Sequence, residues 1–171
     1  MGHSMGGYVS LAFAEKYPKN VKGLCLMNST ALPDEEEKKI NRDRSIIAVK
    51  RMPDTFVRLA IPNLFSRENR TVFTQKIKEI TNEALQTSQQ GIIAALEGMK
   101  IRKDRTKILK TSDFPVFMIM SKKDPALDYA SLLDQTRDTG VITHEFPDGH
   151  MSHIENRDDL ISVIQNFIKI C

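Results

Sequence analysis

The chain has 171 residues, 40% hydrophobic and 27% charged, an ordinary composition for a domain that buries its own core. This composition excludes collagen and a disordered chain, and no apolar run approaches the roughly 20 residues that a membrane-spanning helix needs. The net charge of +3 is small, so neither nucleic acid nor a membrane is an expected partner.

The first elements predicted along the chain are a helix and a strand. Residues 6–17 are apolar on almost every side, as in a buried helix, and Pro18 ends this segment. The apolar run at residues 21–27 then predicts a strand. A strand closely following a buried helix is typical of α/β proteins.

Residues 32–110 are predicted to be helical throughout. Pro33 and the acidic residues 34–37 are typical of a helix N-terminus, and Pro53 ends or breaks that helix. Further helices are predicted at residues 54–61, 66–86 and 88–101. The segment has more basic than acidic side chains. A solvated helical surface is the favoured interpretation of that excess, and attraction of an acidic ligand is the alternative.

The pattern returns to strands after residue 110. The continuous apolar run 116–120 predicts a strand buried on both faces of a parallel sheet. A helix at 128–138, a strand at 141–146 and a terminal helix at 157–170 follow. The sequence therefore predicts an α/β fold, a parallel sheet with flanking helices, in which residues 1–31 and 111–171 form the core and residues 32–110 a helical cap insertion.

Ser4 is the candidate nucleophile. It lies in Gly2-His3-Ser4-Met5-Gly6, which matches the G-x-S-x-G pattern of a nucleophile elbow. There a sharp turn between a strand and a helix exposes the serine hydroxyl, and the two glycines leave room for the turn. The pattern alone is weak, but the helix predicted directly after it is what an elbow requires.

Asp124 and His150 are the candidate partners of Ser4. A serine hydroxyl needs a histidine to take its proton, and that histidine needs a carboxylate to orient it. Asp124 follows the predicted strand 116–120, and His150 lies just beyond the strand 141–146. Since loops after parallel strands leave the same edge of a sheet, both side chains can converge on Ser4.

Four other side chains compete for these two roles. Asp128 has the position of a helix N-cap and Asp148 that of a turn residue, so neither is the preferred acid. His153 begins the next helix and His144 alternates along a strand, so neither is the preferred base. Zinc binding by the three C-terminal histidines is disfavoured because their spacing matches no metal motif. We expect no metal and no cofactor.

These motifs together resemble the α/β-hydrolase superfamily, in particular its capped bacterial serine hydrolases. The matching segments are Gly2-His3-Ser4-Met5-Gly6-Gly7, Asn28-Ser29, Ala94-Ala95-Leu96-Glu97-Gly98-Met99 with Arg102 and Asp104, Lys123-Asp124-Pro125, and Gly149-His150-Met151-Ser152-His153-Ile154-Glu155. The resemblance implies that Ser4 is the nucleophile, Asp124 the triad acid and His150 the base. It also implies that the backbone N–H of Met5 is one donor of the oxyanion hole.

The sequence departs from the pattern of these hydrolases at its N-terminus. Such hydrolases place several βα units before the elbow, whereas at most Met1 remains here of the nucleophile strand. We therefore expect the chain to correspond to the C-terminal part of an α/β-hydrolase fold, without the loop that donates the second oxyanion-hole amide. The strand at 21–27 would then have an open edge through which copies of the chain could associate.

The sequence thus predicts an esterase-like serine hydrolase that acts through an acyl-enzyme. The expected partner is a small-molecule substrate with an apolar acyl group, although packing is the favoured role of the apolar residues in the helical segment. The same triad acting on an amide, a lactone or a carbon–carbon bond is one alternative. A catalytically inactive, truncated remnant is another.

The expected compartment is the cytoplasm. Cys25 lies inside an apolar run and Cys171 is the last residue, which indicates a reducing environment with no disulfide framework. No secretory signal pattern comes before the elbow motif.

Overall fold

A parallel four-stranded sheet lies at the centre of the computed structural model, which describes residues 1–171. The strands, adjacent in this order, are β1 (Gly2–His3), β2 (Leu24–Met27), β3 (Val116–Ser121) and β4 (Ile142–Phe146). Leu26 pairs with Gly2 on one side and with Met118 on the other. All three strand pairs are parallel, so the α/β prediction is confirmed.

Ten α-helices flank or connect these strands. They are α1 (Met5–Lys16), α2 (Glu36–Arg51), α3 (Pro53–Ala60), α4 (Asn69–Val72), α5 (Thr74–Ala84), α6 (Gln89–Lys100), α7 (Thr106–Thr111), α8 (Tyr129–Thr136), α9 (Ser152–Glu155) and α10 (Arg157–Ile168). Short 3-10 turns occur at Pro18–Asn20 and Pro62–Leu64. No helix has the length and apolarity needed to cross a membrane.

Several element predictions differ from the structure. The helix predicted at 66–86 is two helices, because the backbone at Phe73 leaves the helical conformation between α4 and α5. The strand predicted from residue 21 begins at Leu24, since the 3-10 turn at Pro18–Asn20 occupies the approach to it. The sequence pattern did not predict β1, α7 or α9, which have two, six and four residues.

The central strands β2 and β3 are buried on both faces, which the sequence predicted for β3. Alternate side chains of these strands point to opposite sides of the sheet. Leu26 and Met118 pack with α1 and α8, whereas Cys25, Phe117 and Ile119 belong to a second cluster with α10. The two clusters hold the helices against the sheet, and so fix the carboxyl edge where the candidate site lies.

Residues between β2 and β3 form smaller apolar clusters of their own. Ile46 and Val49 of α2 pack against Leu96 of α6. Asp34 was expected among the acids of a helix N-terminus, but it lies before α2 with a fully buried side chain. It pairs with guanidinium groups instead, as described below. The division into a core and a cap at residues 32 and 110 stays a prediction.

The edge of the sheet is β1 rather than β2. Gly2 and His3 pair with Leu26 and Met27. The strand at 21–27 was expected to be the open edge, and for Leu26 and Met27 that expectation is wrong. The outer side of β1 has no neighbouring strand. Beside it runs an apolar groove that includes Met1, Val9 and Phe13.

Candidate functional site

Ser4 occupies a strained turn between β1 and α1. Its φ of 52° and ψ of −121° are rare for a residue with a side chain. The amide of Ser4 donates to Met27 O at 3.0 Å, and Ser29 Oγ donates to Ser4 O at 2.8 Å. Both bonds anchor the turn to the end of β2, so the rest of the fold stabilises the strained conformation.

The glycines around Ser4 have different roles. A Cβ on Gly2 would lie 2.2 Å from Gly6 O, and one on Gly7 would lie 2.2 Å from Ser29 Oγ. Both positions therefore require glycine for a close approach. A Cβ on Gly6 would meet nothing within 4 Å. The interpretation that Gly6 makes room for the turn is thus wrong. After the serine, the constrained glycine is Gly7, which lies outside the five-residue motif.

Asp124 and His150 are in direct contact. His150 Nδ1 lies 3.0 Å from Asp124 Oδ1 and 2.8 Å from Asp124 Oδ2, and both side chains are almost completely buried. The amides of Ala126 and Leu127 also donate to Asp124 Oδ1. With Nδ1 donating its proton to the carboxylate, the lone pair of the imidazole is on Nε2.

A buried polar network lies beneath this pair, and its central residue is Asn28. Asn28 Nδ2 donates to Asp124 Oδ2 at 3.1 Å and to Ser121 Oγ at 2.8 Å. Asn28 Oδ1 accepts from Ser152 Oγ. Asn28 has a φ of 45°, a left-handed conformation that asparagine tolerates better than most residues. The network joins the ends of β2 and β3 to the start of α9.

The sequence interpretation did not assign Asn28 a role at the site. Asn28 was noted only within a matching Asn28-Ser29 segment. A polar residue directly after a buried strand, at the edge where the other candidates emerge, is a signal that could have identified it. Its partners are distant in sequence, so no local spacing reveals the network.

His3 supports His150 through the backbone. His3 Nε2 lies 2.8 Å from His150 O, and the ring centroids of the two histidines are 5.0 Å apart. Burial lowers the pKa of His3 to about 4, more than the bond to His150 O raises it. His3 is therefore neutral at pH 7 and donates its Nε2 proton to that carbonyl.

Ser4 and His150 line one cavity of about 290 Å³. No hydrogen bond joins the Ser4 hydroxyl to the imidazole in this structure. Met5 is the first residue of α1, where a backbone N–H has no intrahelical acceptor. The structure thus brings Ser4, Met5 and His150 to the same edge of the sheet, with Asp124 behind the imidazole.

The competing residues lie in other surroundings. Asp128 caps α8 by accepting from the Ser131 amide at 3.1 Å, as its position predicted. Asp148 accepts from Asn156 Nδ2 at 2.7 Å. His144 packs edge-on against the ring of Phe146 in β4, and His153 packs against His3. No three His, Cys, Asp or Glu side chains are arranged to hold a metal ion.

Solved structures share this fold over nearly the whole chain. A thermophilic esterase from Thermogutta terrifontis, solved with malate bound, has 29% identity and a TM-score of 0.89 over 98% of this chain and 63% of its own. An enol-lactonase from Burkholderia xenovorans LB400 has 19% identity and a TM-score of 0.85 over 98% and 64%. An esterase from Exiguobacterium antarcticum has 18% identity and a TM-score of 0.83 over 98% and 65%. The chain thus spans a little under two thirds of the length of these proteins.

Sequence comparison identifies the family. No curated protein matches the chain. The family model described as serine aminopeptidase, S33, matches residues 1–146, which is most of the chain. Together with the parallel sheet and the hydrolase neighbours, this match shows that the chain belongs to that family of α/β hydrolases.

Proposed function

We propose that this chain carries the reaction centre of a serine hydrolase that cleaves ester-type carbonyl compounds through an acyl-enzyme. The observation that carries the proposal is that His150, which contacts Asp124 through Nδ1, lines one cavity together with Ser4. Ser4 is the nucleophile, His150 the general base and acid, and Asp124 the group that orients the imidazole.

The geometry supports a defined order of steps. Asp124 fixes the tautomer of His150, so Nε2 can take the proton of the Ser4 hydroxyl as Ser4 Oγ attacks the carbonyl carbon. The Met5 N–H stabilises the oxyanion that forms. His150 then returns the proton to the leaving alcohol, and the acyl group stays on Ser4. Water attacks this ester with the same base, and the acid product leaves.

The apolar lining of the cavity supports an apolar portion in the substrate. Apolar side chains of α3, the 3-10 turn at Pro62–Leu64, α6 and the loop after β3 line the cavity with Ser4. They are Phe56, Leu64, Ile92, Ala95, Leu96, Met99, Ala126 and Leu127. A neutral aryl ester with a short acyl chain is therefore a suitable first substrate. Amides, lactones and compounds with activated carbon–carbon bonds belong in the same panel because the triad could act on each of them.

Active-site labelling and substitution test the proposal. We expect a fluorophosphonate probe to label the wild-type chain and not Ser4→Ala, since the probe reacts with an activated serine. Ser4→Ala, His150→Ala and Asp124→Asn should each reduce aryl ester turnover by about 10³-fold or more. His153→Ala and Asp128→Asn are the matched controls and should retain most of it. Labelling that persists in Ser4→Ala would contradict the proposal.

A further inference from the structure

The cavity above Ser4 has a cationic side that the hydrolytic steps do not use. Lys38 and Arg42 of α2 line it, together with Asp34 and the apolar side chains of α6. They are four residues apart on one helix and so lie on the same face. Both cationic side chains therefore border the space that a substrate would fill.

One buried carboxylate cannot balance the positive charge around it. Asp34 Oδ2 accepts from Arg42 Nε at 3.1 Å, and Asp34 Oδ1 lies 2.6 Å from Arg102 Nη1. Two guanidinium groups therefore share a single negative charge. Lys38, which lines the same cavity as Arg42, adds a third positive charge, while Asp124 is already engaged by His150. The cavity thus keeps an excess of positive charge beside its apolar wall.

The two cavity-lining cations also keep donors free. Arg42 uses only Nε within the chain, and its terminal nitrogens make no hydrogen bond to other residues. Lys38 Nζ makes one long contact, 3.5 Å from Ala126 O. By contrast, Arg102 binds Leu32 O and Met99 O and stacks over the Tyr8 ring, so it serves to hold Asp34 in place. Arg42 and Lys38 are therefore available to a ligand.

We propose that this cavity selects esters that carry a carboxylate, separated from the reacting carbonyl by a short apolar segment. This inference rests on the proposed function and names its substrate class. Arg42 would bind the carboxylate through its terminal nitrogens, and Lys38 would add a second charge. The apolar wall would contact the segment between the two ends and exclude water, which strengthens the ionic contact.

A matched pair of substrates tests the proposal on the full chain. The 4-nitrophenyl monoester of glutaric acid has a free carboxylate, and 4-nitrophenyl pentanoate is a neutral ester of similar length. We expect kcat/KM to favour the glutarate ester about tenfold or more in wild type, with a preference that falls as salt is raised. Lys38→Gln should reduce the preference at least threefold, and Arg42→Gln should reduce it further, because each variant lowers kcat/KM for the glutarate ester more than for the pentanoate ester.

Lys39→Gln is the control variant for these substitutions. Lys39 neighbours Lys38 on α2 but pairs with Glu36 at 2.6 Å and does not line the cavity. It should leave the preference unchanged. Arg42→Gln leaves the buried Asp34 with one partner fewer and could lower stability, whereas Lys38→Gln does not touch that ion pair. Lys38→Gln therefore remains informative if the other variant fails to fold.

The outcomes separate this inference from the proposed function. Ser4-dependent turnover of both esters at equal kcat/KM would overturn the carboxylate preference and leave the hydrolase proposal standing. Absence of turnover of either ester would contradict the hydrolase proposal. In that case calorimetric binding of glutarate to wild type, weakened in Lys38→Gln, would still support the anion subsite, and no binding would overturn it.

Discussion

Asp124 is positioned by groups from three parts of the chain. Its two carboxylate oxygens accept from the amides of Ala126 and Leu127, from His150 and from Asn28. Asn28 reaches it from the residue directly after β2. We therefore propose that Asn28 is a positioning residue that sets the direction of the carboxylate toward the imidazole.

Replacing Asn28 should reduce catalysis more than binding. Asn28→Ala removes one charge-assisted hydrogen bond, which is worth roughly 1.5–3 kcal/mol, so we expect kcat to fall about 10- to 100-fold with little change in KM. Steady-state kinetics on an aryl ester measures this. Asn63→Ala, which removes only a bond to Leu59 O on the surface, should behave like wild type. A folded Asn28→Ala protein with unchanged kcat would exclude the positioning role.

His3 should make the stability of the chain fall in mild acid. Burial lowers its folded-state pKa to about 4, below the value near 6.5 expected after unfolding. Between these pH values the unfolded chain binds the extra proton, so stability is retained above about pH 6.5 and decreases as the pH falls toward 4. We expect this contribution to be roughly 1–3 kcal/mol.

Urea denaturation at pH 7 and at pH 4.5 measures that contribution. His3→Gln can still donate a hydrogen bond to His150 O but does not titrate, so its stability should depend less on pH than that of wild type. The comparison removes the effect of the other three histidines, which both proteins share. Equal pH dependence in the two proteins would show that His3 titrates as an exposed histidine does.

At the scale of secondary structure, the loop after β3 contains two aspartates with different contacts. Asp124 faces His150, and four residues later Asp128 caps α8. We expect Asp128→Ala to lower the free energy of unfolding by about 1 kcal/mol, because the Ser131 amide loses its acceptor, and to leave turnover nearly unchanged. Chemical denaturation measures the loss of stability, and ester hydrolysis measures any loss of turnover. The two measurements together distinguish a helix cap from a catalytic group. A large loss of turnover here would reassign the triad acid.

The elements that sequence predicted well are those whose pattern is local. The apolar run of β3 and the Asp128 cap before α8 lie within a few consecutive residues, so both could be predicted. β1 has only two residues, too few to show an alternation. The break at Phe73 was missed because the apolar spacing continues through it.

The candidate site likewise has residues that could be predicted from local sequence and contacts that could not. Ser4, Asp124 and His150 could be proposed because each follows a predicted strand or begins a predicted helix at the same sheet edge. The bonds from Asn28 to Ser121 and Asp124 join residues 93 and 96 positions apart, and the contact of Asp34 with Arg102 is similarly remote. Such pairs leave no periodic pattern, so they become visible only when the chain is folded.

At the scale of the whole molecule, an apolar groove of about 680 Å³ runs beside the unpaired edge of β1. Val9 and Phe13 of α1 are 61% and 49% exposed there, beside Met1 and Ile168. An unpaired strand with apolar side chains next to it favours pairing with another chain. We expect copies of this chain to associate through the groove.

Light scattering after size-exclusion chromatography tests this association. The wild-type chain should form dimers or larger species at micromolar concentration. Phe13→Lys should shift it toward the monomer, because the new charge would be buried in the contact. Val72→Lys is the control, since Val72 is 71% exposed on α4 and does not line the groove. A wild-type chain that is monomeric at all concentrations would contradict the expectation.

The unequal crowding around Gly2, Gly6 and Gly7 determines which natural or engineered variants of the elbow can arise by single steps. Gly6→Ala adds a methyl group into open space, whereas Gly7→Ala places one against the Ser29 hydroxyl. A mutational library over residues 2–7 should therefore be depleted at Gly2 and Gly7 and permissive at Gly6. For this chain, a search pattern that fixes glycine three residues after the serine would describe the physical requirement better than one that fixes it two residues after.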